Sequence, residues 1–270
     1  MNSSTLNKKN IPIRKKWGQN FLIDDNVIKK IIRLIKPEPR DTIIEIGPGK
    51  GALTLNLSNY VKKIYGIEID PLLFNYLDEK KIKNLYLINE DILKILEHSI
   101  SNDELIVFGN LPYNISTQIL SKWIISTYKK KWYKSLILMF QKEVANRILA
   151  KTNSKNYGRL TILSNWKLDV EKVFDISAYC FSPRPKVESS LLKFTPKKKY
   201  FKIKDAKNLE MITRVFFNQR RKKIKNSFNQ IFSDSKYFAE KLNLDLNLRP
   251  QNLSPSTYYL ITKQYENLRG

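Results

Sequence analysis

The stretch Thr42-Ile-Ile-Glu-Ile-Gly-Pro-Gly-Lys-Gly-Ala52 decides the fold of this chain. Its apolar first half, Thr42–Ile46, predicts a buried strand, and its glycine-rich second half opens a helix predicted through about residue 59. Glycines in such a turn allow the backbone to approach a ligand closely. The stretch therefore predicts the first strand and the ligand-binding loop of an α/β sheet.

Apolar runs and helical patterns alternate on both sides of this stretch. The predicted strands are 63–69, 84–88, 104–108 and 135–140, and the predicted helices are 24–35, from 71, up to 98, 116–128 and 142–150. Two further strands are predicted at 167–174 and 186–194, and four helices at 206–217, 220–232, 235–242 and 256–268. Alternation of this kind predicts a mainly parallel sheet with helices on both faces. The predicted fold is α/β and Rossmann-like, with a basic N-terminal arm (1–16), an α/β domain (17–200) and a small all-helical C-terminal domain (201–270).

The composition limits the possible functions. The chain has 270 residues, with 49 Lys and Arg against 25 Asp and Glu, and a formal net charge of +24. This excess favours a polyanionic partner, first nucleic acid and second an acidic membrane surface, although AT-rich coding DNA would also enrich lysine.

One cysteine, Cys180, and one histidine, His98, exclude an intramolecular disulfide and a Cys/His metal cluster, so no metal is predicted. No apolar run is long enough to span a membrane and no signal region is present, which predicts a cytoplasmic protein without membrane attachment.

Two groups of cations are candidates for RNA phosphate contacts. One is the Arg220-Arg221-Lys222-Lys223 run, and the other lies in the arm: Lys8, Lys9, Arg14, Lys15 and Lys16. Phosphate contacts of this kind weaken steeply with salt. The alternative for either group is a solvated face without a ligand.

Polar residues follow three more predicted strands, where the carboxyl ends of a parallel sheet bind ligands. Glu68 ends the second strand, and a carboxylate there can bind both hydroxyls of a ribose. Up to this point a nicotinamide dehydrogenase and a methyltransferase fit equally well. Asp91 after the third strand can bind an exocyclic amine, and Asn110-Leu-Pro-Tyr113 follows the fourth. Together these favour methyl transfer from S-adenosylmethionine to a nucleobase.

The Asn110-Leu111-Pro112-Tyr113 segment suits a planar, amine-bearing guest such as adenine. Pro112 stiffens the segment, and the Asn110 amide can accept one N–H of the base while the Leu111 or Pro112 carbonyl accepts the other. Tyr113 is predicted to stack on the base, with Phe181 as the opposite wall. The alternatives are a plain strand-to-helix turn for the first segment and surface packing for Phe181.

Several motifs extend this pattern over nearly the whole chain. They include Gly18-Gln-Asn-Phe-Leu22, Glu45-Ile-Gly-Pro-Gly49, Gly109-Asn-Leu-Pro-Tyr-Asn-Ile-Ser116, Gln141-Lys-Glu-Val-Ala-Asn-Arg147, Phe181-Ser-Pro-Arg-Pro-Lys-Val187, Phe217-Asn-Gln-Arg-Arg-Lys222 and Arg249-Pro-Gln-Asn-Leu-Ser254. In this order they resemble the small-subunit ribosomal RNA adenine N6,N6-dimethyltransferase family. Lys50, where the family commonly has an apolar residue, and Trp17, where a Phe is usual, are modest departures.

The resemblance implies a class I methyltransferase domain that uses S-adenosyl-L-methionine. It implies that Asn20 and Leu22 touch the cofactor, that Gly47 faces its amino-acid part, and that Glu68 and Asp91 bind its ribose and adenine. Asn110 would line the cofactor and receive the target amine. The implied substrate is 16S rRNA in the small ribosomal subunit, at two adjacent adenines of the 3′ hairpin loop, with four methyl transfers in all by a monomer.

Three rival functions remain open on the sequence. A related enzyme methylates an adenine of large-subunit rRNA and shares the cofactor site, but the Arg249–Ser254 tail favours the small-subunit enzyme. An rRNA-binding assembly factor with incidental catalysis is the second rival, and a nicotinamide dehydrogenase is a distant third.

Overall fold

The computed structural model describes residues 11–14, 17–126 and 132–269 of the chain. The strands are β1 Phe21–Leu22, β2 Thr42–Ile46, β3 Lys63–Ile67, β4 Leu85–Ile88, β5 Leu105–Asn110, β6 Tyr133–Gln141, β7 Leu168–Ile176, β8 Phe181–Ser182 and β9 Ser189–Pro196. The helices are α1 Asp25–Ile35, α2 Thr54–Leu57, α3 Pro71–Asp78, α4 Ser116–Ser126, α5 Lys142–Ile148, α6 Arg159–Lys167, α7 Ala206–Asn218, α8 Lys225–Ile231, α9 Ser235–Lys241 and α10 Pro255–Leu268. No helix among these residues is both long enough and apolar enough to cross a membrane.

Seven strands form one mixed sheet in the order β4-β3-β2-β5-β6-β9-β7. The first five are parallel, and β9 and β7 complete the sheet in antiparallel pairing. Strands β3 and β4 lie on one side of β2, and strands β5, β6, β9 and β7 lie on the other side. The crevice at the carboxyl ends of β2 and β5 is the position where open α/β sheets bind ligands. The predicted α/β fold with a mainly parallel sheet is confirmed.

The predicted helix ending at His98 is wrong. After β4 the chain makes turns, and only Glu97–Ser99 forms a single 3₁₀ turn. Lys122 of α4 explains the difference, because its Nζ donates to the carbonyls of Ile92 and Ile95 and to the Glu97 carboxylate. These carbonyls are satisfied from a neighbouring helix, so the segment needs no helix of its own.

Helix α6 was not predicted. Six of its nine residues are buried, among them Thr161, Ser164 and Lys167, so the segment lacks the apolar stripe that marks a surface helix. The predicted helix at 220–232 begins only at Lys225.

The C-terminal helices pack against α6 and share its hydrophobic core. The indole of Trp166 donates to the Phe201 carbonyl at 2.8 Å, and the Tyr259 hydroxyl donates to the Ile162 carbonyl at 3.0 Å. Phe216, Phe228 and Tyr258 lie in the same buried cluster as the residues of α4 and β6. The division into domains near residue 200 remains a prediction.

A second sheet, of two short antiparallel strands, joins the N-terminal segment (residues 17–22) to the proline-rich loop (residues 181–187). In it Phe21 pairs with Ser182 and Leu22 pairs with Phe181. This pairing holds the Gly18–Leu22 motif beside the carboxyl ends of the main sheet. Of the arm, Lys8, Lys9, Lys15 and Lys16 lie outside the described residues.

Candidate active site

One cavity opens at the carboxyl ends of β2, β3, β4 and β5. Among its lining residues are all those predicted to bind the cofactor or to act on the base: Asn20, Leu22, Gly47, Glu68, Asp91, Asn110, Leu111, Pro112 and Tyr113. The parallel sheet brings together residues that are up to 93 positions apart in the chain, from Asn20 to Tyr113. Their juxtaposition in one cavity is what the sequence pattern predicted, whereas the role of each residue remains a prediction.

The glycine-rich loop forms the floor of the cavity. Gly47 and Gly49 have φ angles of 65° and 59°, in the left-handed region that favours glycine. A Cβ atom at Gly49 would lie 3.0 Å from the Phe21 ring, and a Cβ atom at Gly47 would lie 4.0 Å from the Asn110 carbonyl oxygen. The absence of a side chain at Gly47 therefore leaves a cradle between the loop and Asn110, and the absence of one at Gly49 lets the Phe21 ring pack on the loop.

The Glu68 carboxylate connects two loops of the cavity. Its Oε2 accepts the Gly49 N–H at 3.1 Å, and its Oε1 accepts the Asp70 N–H at 2.9 Å. Burial raises the pKa of Glu68, against the lowering effect of these backbone donors. Each carboxylate oxygen can accept a second hydrogen bond, so Glu68 can still receive the two hydroxyls of a ribose.

Asp91 lies at the start of the loop after β4. Its Oδ1 accepts the Leu93 N–H at 2.9 Å, and the residue lines the cavity. The neighbouring Asn89 donates to the Glu68 carbonyl at 2.7 Å. This contact fixes the spacing between the two carboxylates that the sequence assigned to the cofactor.

The N-terminal segment closes one side of the cavity through a buried carboxylate. Asp70 is fully buried, caps α3 through the Leu72 N–H, and accepts a hydrogen bond from Gln19 Nε2 at 2.8 Å. Arg14 lies 3.8 Å from the same carboxylate, and its backbone N–H donates to the Gln19 side chain. The segment that carries Asn20 is therefore fixed to the loop that carries Glu68.

The orientation of the Asn110 amide follows from one hydrogen bond. Asn110 Nδ2 donates to the Asn20 carbonyl at 2.8 Å, so the amide oxygen remains as an acceptor. The Pro112 carbonyl already accepts the N–H groups of Ile115 and Ser116 at the start of α4. Of the two backbone carbonyls considered from sequence, this favours that of Leu111, whose side chain is itself buried.

Tyr113 is anchored at the edge of the cavity. Its hydroxyl and the Ser189 hydroxyl form a 2.7 Å hydrogen bond, and burial raises the pKa of Tyr113. Ser189 is the first residue of β9, directly after the proline-rich loop. The Tyr113 ring is thereby held in place beside Asn110 and lines the cavity.

Phe181 is not at the cavity surface. Its side chain is 3% exposed and packs with Leu22 and Ile28 in the second hydrophobic core cluster. The pairing of β8 with β1 turns the ring inward. The structure therefore does not bring Phe181 together with Tyr113 as two exposed walls, and its base-stacking role remains a prediction.

Arg220 has internal partners. Its guanidinium donates to the carbonyls of Ser154 and Lys155 and so binds the loop before α6. Arg221 and Lys222 are exposed, and exposed Lys223 donates to Asn247 at 2.9 Å. Among the four predicted phosphate contacts, Arg221 and Lys222 are the ones best placed to meet a polyanion.

Glu45 is a cavity residue to which the sequence reasoning gave no role. It is 3% exposed, and its Oε2 accepts the Thr54 hydroxyl at 2.6 Å. Burial raises the pKa of Glu45 to about 7, with the Thr54 hydrogen bond lowering it and the nearby Glu68 carboxylate raising it. A glutamate at the end of a strand directly before the glycine loop was the available signal.

The described residues contain no group of three or more His, Cys, Asp and Glu side chains that could hold a metal ion. The chemistry that this part of the chain supplies is a set of hydrogen-bond acceptors, two buried carboxylates and an aromatic ring around one cavity.

Comparison with known proteins decides the family. The family model for ribosomal RNA adenine dimethylase matches residues 10–267. The chain belongs to the ribosomal RNA adenine dimethylase family. Members of this family are methyltransferases that use S-adenosylmethionine as the methyl donor, which agrees with the cofactor predicted from the sequence.

Curated relatives match the chain over nearly its full length. It is 54% identical over 261 residues to the ribosomal RNA small subunit methyltransferase A of Pelagibacter ubique, covering 96% of this chain and 99% of the relative. It is 44% identical to the protein of the same name from Wigglesworthia glossinidia brevipalpis, covering 90% of this chain and 94% of the relative.

Solved structures support the fold. A dimethyladenosine transferase from Plasmodium falciparum superposes with a TM-score of 0.79 at 27% identity, covering 92% of this chain and 98% of that chain. The 23S rRNA methyltransferase ErmE superposes with a TM-score of 0.66 at 21% identity, covering 92% of this chain and 100% of that chain. At that identity the second likeness concerns the fold alone.

Glu45 predicts a specific pH dependence of stability. Because its folded pKa of about 7 exceeds the unfolded value of 4.5, the unfolded chain loses this proton first as pH rises. Below pH 4.5 Glu45 is protonated in both the folded and the unfolded chain, and its contribution to the free energy of unfolding is at its maximum. Between pH 4.5 and 7 the free energy of unfolding should fall by about 3 kcal/mol. Urea unfolding between pH 4.5 and 7.5 should show this decline as a widening advantage of Glu45→Gln over the unmutated chain. The exposed Glu240→Gln variant serves as control, and parallel stability curves for Glu45→Gln and the unmutated chain would contradict the assignment.

Proposed function

We propose that this protein dimethylates N6 of two adjacent adenines in the 3′ hairpin loop of small-subunit ribosomal RNA, with four methyl transfers in all. The observation that carries this proposal is the Asn110 amide. Its nitrogen donates a hydrogen bond to the Asn20 carbonyl. Its oxygen is left as an acceptor in the cavity that Glu68 and Asp91 also line. A planar guest with an exocyclic amine suits that arrangement.

The cavity residues fit S-adenosylmethionine, which supplies an electrophilic methyl group when bound. The cradle left by Gly47 would accept its amino-acid part, Glu68 its ribose hydroxyls and Asp91 its adenine amine. Asn20 and Leu22 would complete the contacts from the N-terminal segment. Glu45 faces the same cavity, where its ionised form would suit the ammonium group of an amino acid.

Activation of the target amine is the task of the Asn110 segment. The N6 lone pair of adenine is delocalised into the ring, and acceptors for its two N–H groups favour a more pyramidal nitrogen with a localised lone pair. The Asn110 side-chain oxygen and the Leu111 carbonyl are the proposed acceptors. Tyr113, held by Ser189, would stack on the ring of the base. No strong general base is required, because the alkylated nitrogen is acidic enough to release its proton to water, and orientation supplies most of the rate.

The choice of small-subunit RNA is supported by sequence similarity. The relatives at 54% and 44% identity are small-subunit methyltransferases by name, whereas the likeness to the 23S rRNA enzyme concerns the fold alone. The Arg249–Ser254 segment, which the resemblance associates with the small-subunit enzymes, forms a 3₁₀ turn that packs on the loop before α6, where Asn252 bonds Asn153. We also infer that the protein acts as a monomer in the cytoplasm, where its proposed substrate is found.

Small ribosomal subunits that lack the modification provide the direct test. With labelled S-adenosylmethionine, we expect dimethyladenosine at two adjacent positions of the 3′ hairpin loop, mapped by mass spectrometry. Label confined to large-subunit RNA would instead identify the resistance-type enzyme. Association with subunits without any label would identify an assembly factor and sink the catalytic proposal.

The variant Asn110→Ala should lower the rate of methyl transfer by about a hundredfold or more, because the acceptor for the target amine is lost. Its affinity for the small subunit should stay close to that of the unmutated protein. Single-turnover rates and filter binding measure the two quantities. The exposed Asn229 of α8 gives a matched control, and Asn229→Ala should change neither. An unchanged rate for Asn110→Ala would remove Asn110 from the mechanism.

Exposed cations of the C-terminal region should contribute through phosphate contacts. Arg221→Gln and Lys222→Gln should each weaken binding to small subunits and lower the slope of log affinity against log salt by about one. Lys81→Gln is the control, since Lys81 is also exposed but pairs with Asp78. If all three variants keep the slope of the unmutated protein, the phosphate-contact assignment is wrong.

A further inference from the structure

An exposed pair of side chains, Tyr179 and Arg184, flanks β8, the short strand that pairs with the cavity-lining residues Phe21 and Leu22. Tyr179 is 72% exposed, the highest value among the large hydrophobic side chains of the described residues. The Cζ atom of Arg184 lies 3.5 Å from the centroid of the Tyr179 ring, which is the shortest cation–π distance in the described part of the chain. A planar guanidinium stacked on an aromatic ring leaves its outer face open to solvent.

The backbone beneath this pair is firmly held. The Tyr179 N–H donates to the Ser177 hydroxyl, and the Cys180 N–H donates to the Ser177 carbonyl. The Cys180 carbonyl in turn accepts the Ile23 N–H at 2.9 Å, next to the β1–β8 pairing. The backbone that carries the exposed Tyr179 ring is therefore held in a defined turn.

Tyr179 precedes β8 and Arg184 follows it, at the start of the stretch that runs from β8 to Ser189. At one end β8 pairs with β1, immediately after Asn20, whose carbonyl accepts the Asn110 amide. At the other end Ser189 holds the Tyr113 hydroxyl. The pair is therefore joined through β8 and Ser189 to both supports of the Asn110 site.

The surroundings of the pair favour nucleic acid over protein. Arg184 is exposed and stacks on Tyr179, and Lys186 is exposed two positions further on. The whole chain carries a net charge of +24. Aromatic rings interleaved with cations are the typical surface for single-stranded nucleic acid, where rings stack on bases and cations meet phosphates.

We propose that Tyr179 and Arg184 form a stacking platform for the base next to the adenine that enters the Asn110 site. This inference rests on the proposed function and deepens it. Stacking requires only the face of the base and no N6–H donor, whereas the acceptors at Asn110 need one. The platform would therefore hold the neighbouring adenine equally well before and after its own methylation, so that either adenine of the pair can wait there while the other reacts.

Steady-state kinetics on unmodified small subunits tests the platform. Tyr179→Ala should raise KM for the subunit roughly tenfold, as expected for the loss of one base–aromatic stack. We expect kcat and the dissociation constant of S-adenosylmethionine to stay unchanged. Tyr179→Phe keeps the ring and should keep the KM of the unmutated protein, whereas Arg184→Gln should raise it. Thermal melting verifies that each variant is folded. If Tyr179→Ala does not fold, the KM of Arg184→Gln alone tests the proposal.

The control is Tyr86→Ala. Tyr86 is 46% exposed, also lies near a lysine, and stands on β4 at the far edge of the sheet. If Tyr179→Ala and Arg184→Gln match Tyr86→Ala in KM while the unmutated protein methylates the subunit, the platform is wrong and the proposed function stands. If the unmutated protein methylates no adenine of the small subunit, the proposed function itself is wrong. If Tyr179→Ala and Arg184→Gln raise KM for intact subunits but not for protein-free RNA, the pair contacts a ribosomal protein and the proposed base platform is wrong.

Discussion

The site depends on the buried carboxylate of Glu68. One of its oxygens accepts the Gly49 N–H and the other the Asp70 N–H, so a single side chain fixes the glycine loop after β2 relative to the turn after β3. A carboxylate can stay buried only when donors surround it. The next residue in this chain of contacts, Asp70, is itself fully buried and binds Gln19, which places the N-terminal motif over the cavity. In a chain with an excess of 24 positive charges, several acidic side chains thus line the cavity proposed to bind the cofactor.

The Asn110 amide is positioned by the same kind of connection. Asn110 projects from the end of β5, but the direction of its amide is determined by the Asn20 carbonyl, which belongs to the N-terminal motif. Pro112 uses its carbonyl to begin α4, and Tyr113 is held by Ser189. The N-terminal motif, helix α4 and strand β9 therefore each fix part of the Asn110–Tyr113 segment. Such preorganisation is what a reaction needs when orientation, rather than acid–base catalysis, supplies most of the rate.

Sequence patterns predicted the part of the structure that a parallel sheet dictates. Gly47, Asp91 and Asn110 each follow a predicted strand and Glu68 lies at the end of one. Because the carboxyl ends of parallel strands meet at one edge, their meeting in one cavity could be predicted. Helix α6 could not, because it is buried on most sides and lacks an amphipathic pattern. Strands β1 and β8 have two residues each, too few for a period-2 signal. The turns before Glu97 depend on Lys122, a residue of another element whose contacts no local pattern encodes.

The proline-rich loop illustrates why the orientation of a loop aromatic is the hardest feature to predict. Phe181 and Tyr179 are two positions apart, and composition gives no reason to prefer either as the exposed ring. The pairing of Phe181 with Leu22 decides the matter, because it turns the phenylalanine into the core beneath β1 and leaves the 3₁₀ turn of Tyr179 at the surface. A residue that packs in the core stabilises the rim of the cavity, whereas an exposed ring stacked under a guanidinium can meet a base. A single pair of short strands therefore decides which of these two neighbouring rings is buried and which is exposed.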